Sequence, residues 1–562
     1  MAKVSGSNEP PMKKRDPEKF IANAEATIDS AWRNLPIFQS ERPVALLKLI
    51  TATDDRMRIT ALSGIPREAF FSVALRFSQD ALMFGIPWIF STCRATNTPI
   101  PEIVTEADVL EGIALAEYAE AYDSAVLAFT NYHQKRFEAF VAATDRRITF
   151  GYPSSEVEFS ERERKAYEMH ELESAGETSA SAQGRVDAMR SLLNRVATKA
   201  VQGSGDRVEL KIDTELVAAL RAVMDGTLAS HQAQIENSQI LAGIEYGRIR
   251  RYHAALVALC HAHHFLHMSP AVGDIRGGAV SSLSFRMKVE ELNAHIAEVG
   301  ELAPSEVAAV SSLFTFDGSI PNMPSICQPL IRANDTEVLV PYAYTLGGRF
   351  ERNFLKLLAK NPKTAKEYDK FSSLKENIAL PKLVRLLRAV GVLAKDRVRI
   401  TEGGRSITDI DIVAYDPRDK CLLAIQHKWL IEPDSVNESK ACDMELEKAI
   451  EQARIAKAHL ASRENARRVI PEIPETGEIS VESMVVSKGS EETGFLSATE
   501  IPIVTEDWFI SQIKSSSGLA TLHSLGRRRP DRTELAGKWK SAKVSARLAG
   551  YEIRIPGFSR AV

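Results

Sequence analysis

The stretch that most constrains how this chain can fold is residues 404–429, GRSITDIDIVAYDPRDKCLLAIQHKW. Residues Thr408 to Tyr415 alternate polar and apolar side chains, with the period of two that is typical of a β-strand. The next four residues, Asp416 to Asp419, favour a tight turn, because proline fixes φ at the second position and aspartate suits the first. A second strand is predicted from Leu422 to Trp429. The sequence therefore predicts two strands joined by a turn.

The alternation in the first strand sorts its side chains onto two faces. Successive side chains of a strand point to opposite sides of the sheet. Asp409 and Asp411 are therefore expected on one face, and Ile410 and Ile412 on the other.

The second strand brings further polar groups to the same edge of the sheet. Its alternation places Gln426 and Lys428 on one face, with His427 on the other. If the two strands pair, a carboxylate, an amide oxygen and an ammonium group converge. Oxygen ligands suit a hard cation, and a lysine beside such a cation is what metal-assisted phosphodiester hydrolysis needs.

This pattern resembles the PD-(D/E)XK nuclease superfamily, specifically the branch of type IV restriction enzymes and Holliday-junction resolvases. Proteins of that branch carry a glycine, an acid-Ile-Asp-apolar-apolar-Ala string, a hairpin turn and an apolar strand that ends in Glu/Gln-x-Lys. The corresponding residues here are Gly404, residues 409–414 and residues 426–428. The resemblance implies a DNA endonuclease that uses Mg²⁺ (or Mn²⁺), and by analogy a role in genome defence, such as restriction of foreign DNA.

The resemblance also implies a role for each site residue. Asp411 matches the metal-binding aspartate, Gln426 the second ligand and Lys428 the catalytic lysine, while Asp409 lies where relatives often carry glutamate. Glutamine in place of glutamate removes one negative charge. The metal is therefore expected to be held more weakly, or to depend more on Asp409 and the carbonyl of His427.

Family members also carry a glutamate on the helix that precedes the first core strand. Glu376, near the start of the helix predicted over Leu383–Val390, is the first candidate for this catalytic residue. Glu351, in a helix predicted over Phe350–Leu358, is the alternative. Each is also typical of a solvated helix face, so both interpretations stay open.

We expect an α+β multidomain chain, with a mostly helical N-terminal part followed by an α/β PD-(D/E)XK-like domain with a mixed central sheet. The helical part is predicted as domains over 1–172 and 207–335, separated by a linker or loop region over 173–206 that includes a Ser/Gly/Ala/Glu-rich stretch. The nuclease domain is predicted over 336–562. Its core is expected to continue with a helix over Glu438–Ser462, a strand over Val481–Val486 and an apolar run at Ile501–Val504.

DNA binding would have to come from a local patch, because the net charge of this 562-residue chain is −3. The segment Arg527–Arg547 is rich in basic residues and also contains Trp539. Such a run can neutralise phosphates, although it also suits a solvated face. The predicted DNA contacts are Arg527, Arg528, Arg529, Lys538 and Lys540.

The remaining predictions concern environment and partners. Five scattered cysteines, an odd number, favour a reducing cytoplasm, and the longest strongly apolar run, Ala81 to Cys93, is too short to span a bilayer. DNA is the expected partner, with a possible homo-oligomer through the helical region. The competing hypothesis is a catalytically inactive, nuclease-like DNA-binding or regulatory protein.

Overall fold

The structure is a computed structural model, and it describes residues 16–62, 74–101, 104–142, 146–177, 191, 201–204, 207–210, 212–230, 235–267, 285–346, 349–402, 405–433, 435–489, 493, 496, 500–528 and 530–560. These residues form a mixture of helices and sheets, so the chain is an α+β protein as expected. None of the helices in these ranges is long and apolar enough to cross a membrane.

The first part of the chain is a group of packed helices. It contains α1 (Pro17–Ala31), α2 (Arg42–Leu62), α3 (Arg76–Thr92), α4 (Glu106–His133) and α5 (Ser155–Glu177). Side chains fix where these helices begin. Asp16 accepts a hydrogen bond from the N–H of Glu18 at 3.1 Å, and Thr105 and Asp108 form a capping box at the start of α4.

A β-hairpin interrupts this helical region, where the sequence predicted mainly helix. Strands β1 (Glu138–Ala142) and β2 (Arg147–Gly151) pair in antiparallel fashion. Ile148 and Phe150, two residues apart on β2, are buried against α1 and α4, so this short segment has the period of two of a strand within a mainly helical region. The predicted linker over 173–206 is also not uniform, because α5 extends to Glu177 and β3 (Val201–Ser204) lies in it.

The middle of the chain combines helices with small sheets. Its helices are α6 (Thr214–Ser230), α7 (Tyr246–His267), α8 (Val289–Gly300) and α9 (Pro304–Phe314). Two short hairpins join β3 to β4 (Arg207–Leu210) and β5 (Ile240–Leu241) to β6 (Ile244–Glu245). A further sheet has the order β7-β10-β9-β8, built from β7 (Phe285–Lys288), β8 (Thr315–Phe316), β9 (Leu330–Arg332) and β10 (Glu337–Val340). Since β10 pairs with β7 and β9, this sheet crosses the domain boundary predicted at residue 336.

The region that contains the predicted hairpin follows α10 (Tyr342–Leu346), α11 (Phe350–Lys360) and α12 (Ala365–Ala389). Its sheet has the order β11-β12-β13-β14-β15. The strands are β11 (Leu393–Glu402), β12 (Arg405–Asp416), β13 (Cys421–Trp429), β14 (Ser480–Lys488) and β15 (Ile503–Thr505). The first three strands are antiparallel and the last three are parallel, so the sheet is mixed as expected.

Helices cover both faces of this sheet. On one face lie α12, α15 (Glu506–Ser515) and α16 (Leu519–Arg528), which pack through Leu383, Phe509 and Leu522. On the other face lie α13 (Val436–Leu460) and α14 (Arg463–Val469). The parallel pair β13–β14 follows from this arrangement, because α13 and α14 form the connection between the two strands.

The end of the chain returns to the N-terminal sheet. After α17 (Pro530–Gly537), strands β16 (Trp539–Leu548) and β17 (Tyr551–Arg560) form a hairpin, and β17 pairs in parallel with β2. Residues 539–560 therefore belong structurally with residues 138–151. The predicted continuous domain over 336–562 needs correction at this point, because the apolar face of β17 is buried against α1 and α4.

Candidate active site

The hairpin predicted from residues 404–429 is present, with strands that extend slightly beyond the predicted limits. Strand β12 pairs with β13 from Asp416–Cys421 to Ile412–Ile425. At the turn, Asp416 accepts hydrogen bonds from the N–H and the guanidinium of Arg418. Burial of Asp416 would raise its pKa, but the bonds from Arg418 outweigh burial and the pKa is lowered.

Beyond Ile412 and Ile425 the backbone ladder between β12 and β13 stops, and side chains connect the two strands instead. The N–H of His427 donates to Asp411 Oδ2 at 2.7 Å. Gln426 Nε2 donates to the carbonyl oxygen of Asp409, also at 2.7 Å. Asp411 and Gln426 are therefore held next to each other where the strands separate.

The regular alternation of β12 breaks at Asp411, which was not expected. Ile410 packs with Val398 on the side of α14, whereas Ile412 packs on the opposite side with the residues of α12. In the pairing of β11 with β12, Arg397 lies opposite Asp411 and has a φ of 53°, in the left-handed region. The prediction that Ile410 and Ile412 share a face is wrong, because the two side chains pack in different hydrophobic clusters on opposite sides of the sheet.

The side chain of Asp409 is exposed and already has a charged partner. Its side chain is 61% exposed and forms an ion pair with Arg399 at 3.2 Å. Arg399 pairs directly with Asp409 across β11 and β12. A role for Asp409 as a metal ligand would require this ion pair to break.

Gln426 and Lys428 lie on the α13 side of the sheet, as their alternation on β13 requires. Gln426 is only 2% exposed and lies beside Val485 of β14. Its amide nitrogen is committed to Asp409, and its Oε1 has no hydrogen bond within the described residues. Lys428 is half-buried and, within the same residues, has no hydrogen bond or ion pair.

On the other side of β13 lies a network of buried ion pairs that the sequence does not predict. His427 Nε2 lies 3.0 Å from Glu506 Oε2, and both side chains are almost fully buried. Lys488 and Lys382 approach the other oxygen of Glu506 at 3.6 and 3.9 Å. Burial would raise the pKa of Glu506, but His427 and the two lysines outweigh burial and lower it.

A buried lysine lies next to this network. Lys375 is 1% exposed, and its Nζ lies 5.1 to 5.3 Å from the ring centres of Tyr368, Phe371 and Trp429. Burial lowers the pKa of Lys375 to about 8, while the charge of Glu351 opposes the shift. Sequence reasoning missed Lys375 and Glu506, because nothing in a single sequence shows that α12 and α15 meet at the end of β13.

The two upstream glutamates have different positions. Glu376 lies in α12, but its side chain is outside the described part of the structure. Glu351 lies in α11, and its charge acts on Lys375 and Tyr246. Which glutamate, if either, serves Asp411 stays a prediction.

The donors at the strand ends fit a magnesium ion that also uses substrate oxygens. Within the described ranges, no group of three or more His, Cys, Asp or Glu side chains is placed to hold a metal. Asp411 and the free Oε1 of Gln426 still supply two oxygen donors. Magnesium is commonly bound through one or two carboxylates, several waters and the phosphates of its substrate, so this small set is chemically sufficient.

The predicted DNA-binding residues are divided between two parts of the fold. Arg527 and Arg528 are exposed at the end of α16, which packs on the nuclease-like sheet, whereas Lys540 is on β16 in the N-terminal sheet. Lys538 lies between them, 3.8 Å from Glu534. Arg529 lies outside the described residues.

Comparisons with known proteins do not add a family. A scan against protein-family models, a search of curated proteins and a search of solved structures found no match to this chain. A function can therefore be inferred only from the residues of the site.

Proposed function

We propose that this protein is a metal-dependent DNA endonuclease whose active site lies where β12 and β13 separate. The observation that carries the proposal is the pair of contacts that replaces the backbone ladder there. These contacts hold the Asp411 carboxylate beside the Gln426 amide, two residues before Lys428, which has no partner within the described residues. The resemblance to the PD-(D/E)XK pattern rests on these same residues.

Asp411 and Gln426 would hold the magnesium ion, which when bound supplies charge to a phosphoryl oxygen and lowers the pKa of a water. The N–H of His427 fixes one carboxylate oxygen of Asp411, so the orientation of this ligand is set before substrate arrives. The bond from Gln426 to Asp409 fixes the amide plane in the same way.

Lys428 would act on the water and the phosphate. A half-buried ammonium group without an ion pair can donate hydrogen bonds to the charge that develops on the phosphate oxygens. In its neutral form it can accept a proton from the attacking water. Restriction of foreign DNA is the biological role that the family resemblance suggests for such an activity.

The deciding experiment is nicking of supercoiled plasmid by the purified full-length protein with Mg²⁺ or Mn²⁺, and with EDTA as the negative control. Lys428→Met should abolish the activity, because Met keeps the length and removes the charge. Lys395→Met is the matched control, since Lys395 is an exposed lysine on β11 of the same sheet. Parallel reactions with single-stranded DNA and with RNA show which type of nucleic acid the protein cuts.

The small number of acids at the site favours one alternative, a nuclease-like protein that binds DNA without cutting it. DNA binding by the wild-type protein, with no nicking under either metal and no effect of Lys428→Met, would support that alternative and exclude the endonuclease.

A further inference from the structure

A cavity of about 400 Å³ lies where the N-terminal helices meet the nuclease-like core. Its walls include Phe84 of α3 and Tyr152 after β2 on one side, and Ser435 and Asn437 at the start of α13 on the other. Binding sites for small molecules have volumes of about 300–1,000 Å³ and occur preferentially where domains meet. The cavity therefore has the size and the location of a ligand site.

Two carboxyl groups face this cavity from neighbouring helices. Asp80 of α3 and Asp123 of α4 both line it, and the side chain of Asp80 is only 22% exposed. Burial and the charge of Asp123 raise the pKa of Asp80 to about 7, although Arg76 lies 3.6 Å away. Burial also raises the pKa of Asp123. Ionisation of both acids at once is therefore unfavourable at neutral pH, and a cation beside them would favour it.

A buried amide supplies an independent indication of a ligand. Asn131 of α4 lines the same cavity and is 8% exposed. Its Nδ2 donates to the carbonyl of Leu127 in its own helix at 2.9 Å, whereas its Oδ1 has no hydrogen bond within the described residues. An acceptor in a cavity wall without a protein partner is available to an N–H donor of a ligand.

We propose that this cavity binds a small organic cation whose ammonium or guanidinium group lies between Asp80 and Asp123 and donates to Asn131. Such a group adds a second positive charge to two acids that share Arg76, and it supplies an N–H donor to the amide oxygen. The aromatic rings of Phe84 and Tyr152 can pack on the rest of the ligand. A metal ion is a poorer occupant, since no group of three or more His, Cys, Asp or Glu side chains meets there within the described residues.

The inference is independent of the proposed nuclease activity, because binding is measured directly. Agmatine and spermidine are the probes, titrated into the full-length protein by calorimetry at pH 8, with 1,4-butanediol as the neutral comparison. Both amines should bind and the diol should not. Absence of binding by both amines, or equal binding of the diol, would overturn the proposal.

Substitutions locate the binding. Asp80→Asn and Asp123→Asn should each weaken binding of the amines by about tenfold or more, because a charge-assisted hydrogen bond is lost. Both variants are expected to fold, since burial already disfavours the charged form of each acid. Glu117→Gln is the control, because it removes an exposed charge from the same helix outside the cavity. Unchanged binding in both aspartate variants, or an equal loss in Glu117→Gln, contradicts the site.

The acid pair also predicts a dependence on pH. A cation binds the ionised pair, so its affinity should rise with pH through about 7 and level off above, which makes binding about tenfold weaker at pH 6 than at pH 8. The other charged groups that face or act on the pair are Arg76, Glu120, Arg136, Glu161 and Arg164. A flat profile would overturn the assignment of the acids as the ligands.

Discussion

Strand β13 carries polar groups without partners on one side and a buried network of paired charges on the other. On the α13 side, Gln426 Oε1 and Lys428 have no partners within the described residues. On the other side, His427 is buried against Glu506, whose charge is balanced by Lys382 and Lys488. The groups on the α13 side are available to bind a metal or a substrate, whereas the groups on the other side are already paired with each other. We therefore expect substitutions on the α13 side to lower the rate of cleavage, and substitutions on the other side to lower the free energy of unfolding.

The largest expected effect is on cleavage. Asp411→Ala removes the charged metal ligand and Lys428→Ala removes the ammonium group, so each should lower the rate of plasmid cleavage by about a hundredfold or more. Lys428→Ala should leave the melting temperature nearly unchanged. Asp411→Ala should also lower it, because the substitution removes the acceptor of the buried His427 N–H. Wild-type turnover in either purified variant would end the catalytic assignment.

Substitution on the opposite side should affect stability. Glu506→Gln keeps the shape but removes the charge beside His427, Lys382 and Lys488. We expect the free energy of unfolding to fall by about 1–3 kcal/mol, the usual cost of disturbing a buried charged hydrogen bond. Urea denaturation measures the loss. If Glu506→Gln is as stable as the wild type but does not cleave DNA, this side of β13 contributes to activity and not to stability.

The same network predicts how stability depends on pH. The pKa of Glu506 is lowered on folding, so its ionised form contributes stability above the pKa of an unfolded glutamate, about 4.3. That contribution is lost as the pH falls through the lower, folded pKa. The difference in stability between wild type and Glu506→Gln should therefore be constant near neutral pH and shrink below pH of about 4. A difference that grows on acidification would contradict the assignment.

A smaller effect is expected on metal affinity. Gln426→Glu places a second carboxylate beside Asp411, and carboxylates are stronger ligands for hard cations than amides. The variant should reach half-maximal cleavage at a lower Mg²⁺ concentration, and a direct titration with Mn²⁺ should show tighter binding. If the titration shows no tightening, the side chain at position 426 does not contact the metal.

The smallest effect concerns DNA affinity. Replacing Arg527 and Arg528 by Gln should weaken binding to all sequences and reduce the slope of log K against log salt by about 0.9 for each lost phosphate contact. Replacing Lys538 and Lys540 is the comparison, because Lys540 belongs to the other sheet and Lys538 lies near Glu534. If only the lysine pair changes the slope, the DNA path lies along β16 instead.

The sequence was sufficient for the hairpin because local rules decide it. The proline turn and the apolar patterns of residues 408–415 and 422–429 predicted both strands, and alternation on the second strand predicted the opposite facing of Gln426 and His427. The alternation predicted for the first strand fails at Asp411. Three features depend on contacts between distant segments, which no local pattern encodes. These are the break in alternation at Asp411, the contact of His427 with Glu506, and the pairing of β17 with β2.

The pairing of β17 with β2 has a consequence for how the protein is made. Ile553 pairs with Ile148, roughly 400 residues earlier in the chain, so this sheet cannot close until nearly all of these residues have been synthesised. Until then β2 lacks its neighbour and presents an open edge to other chains. A nascent chain would thus complete the hairpin of β12 and β13 before its N-terminal sheet. Pairing of that open edge with another chain before β17 has been made would compete with correct folding.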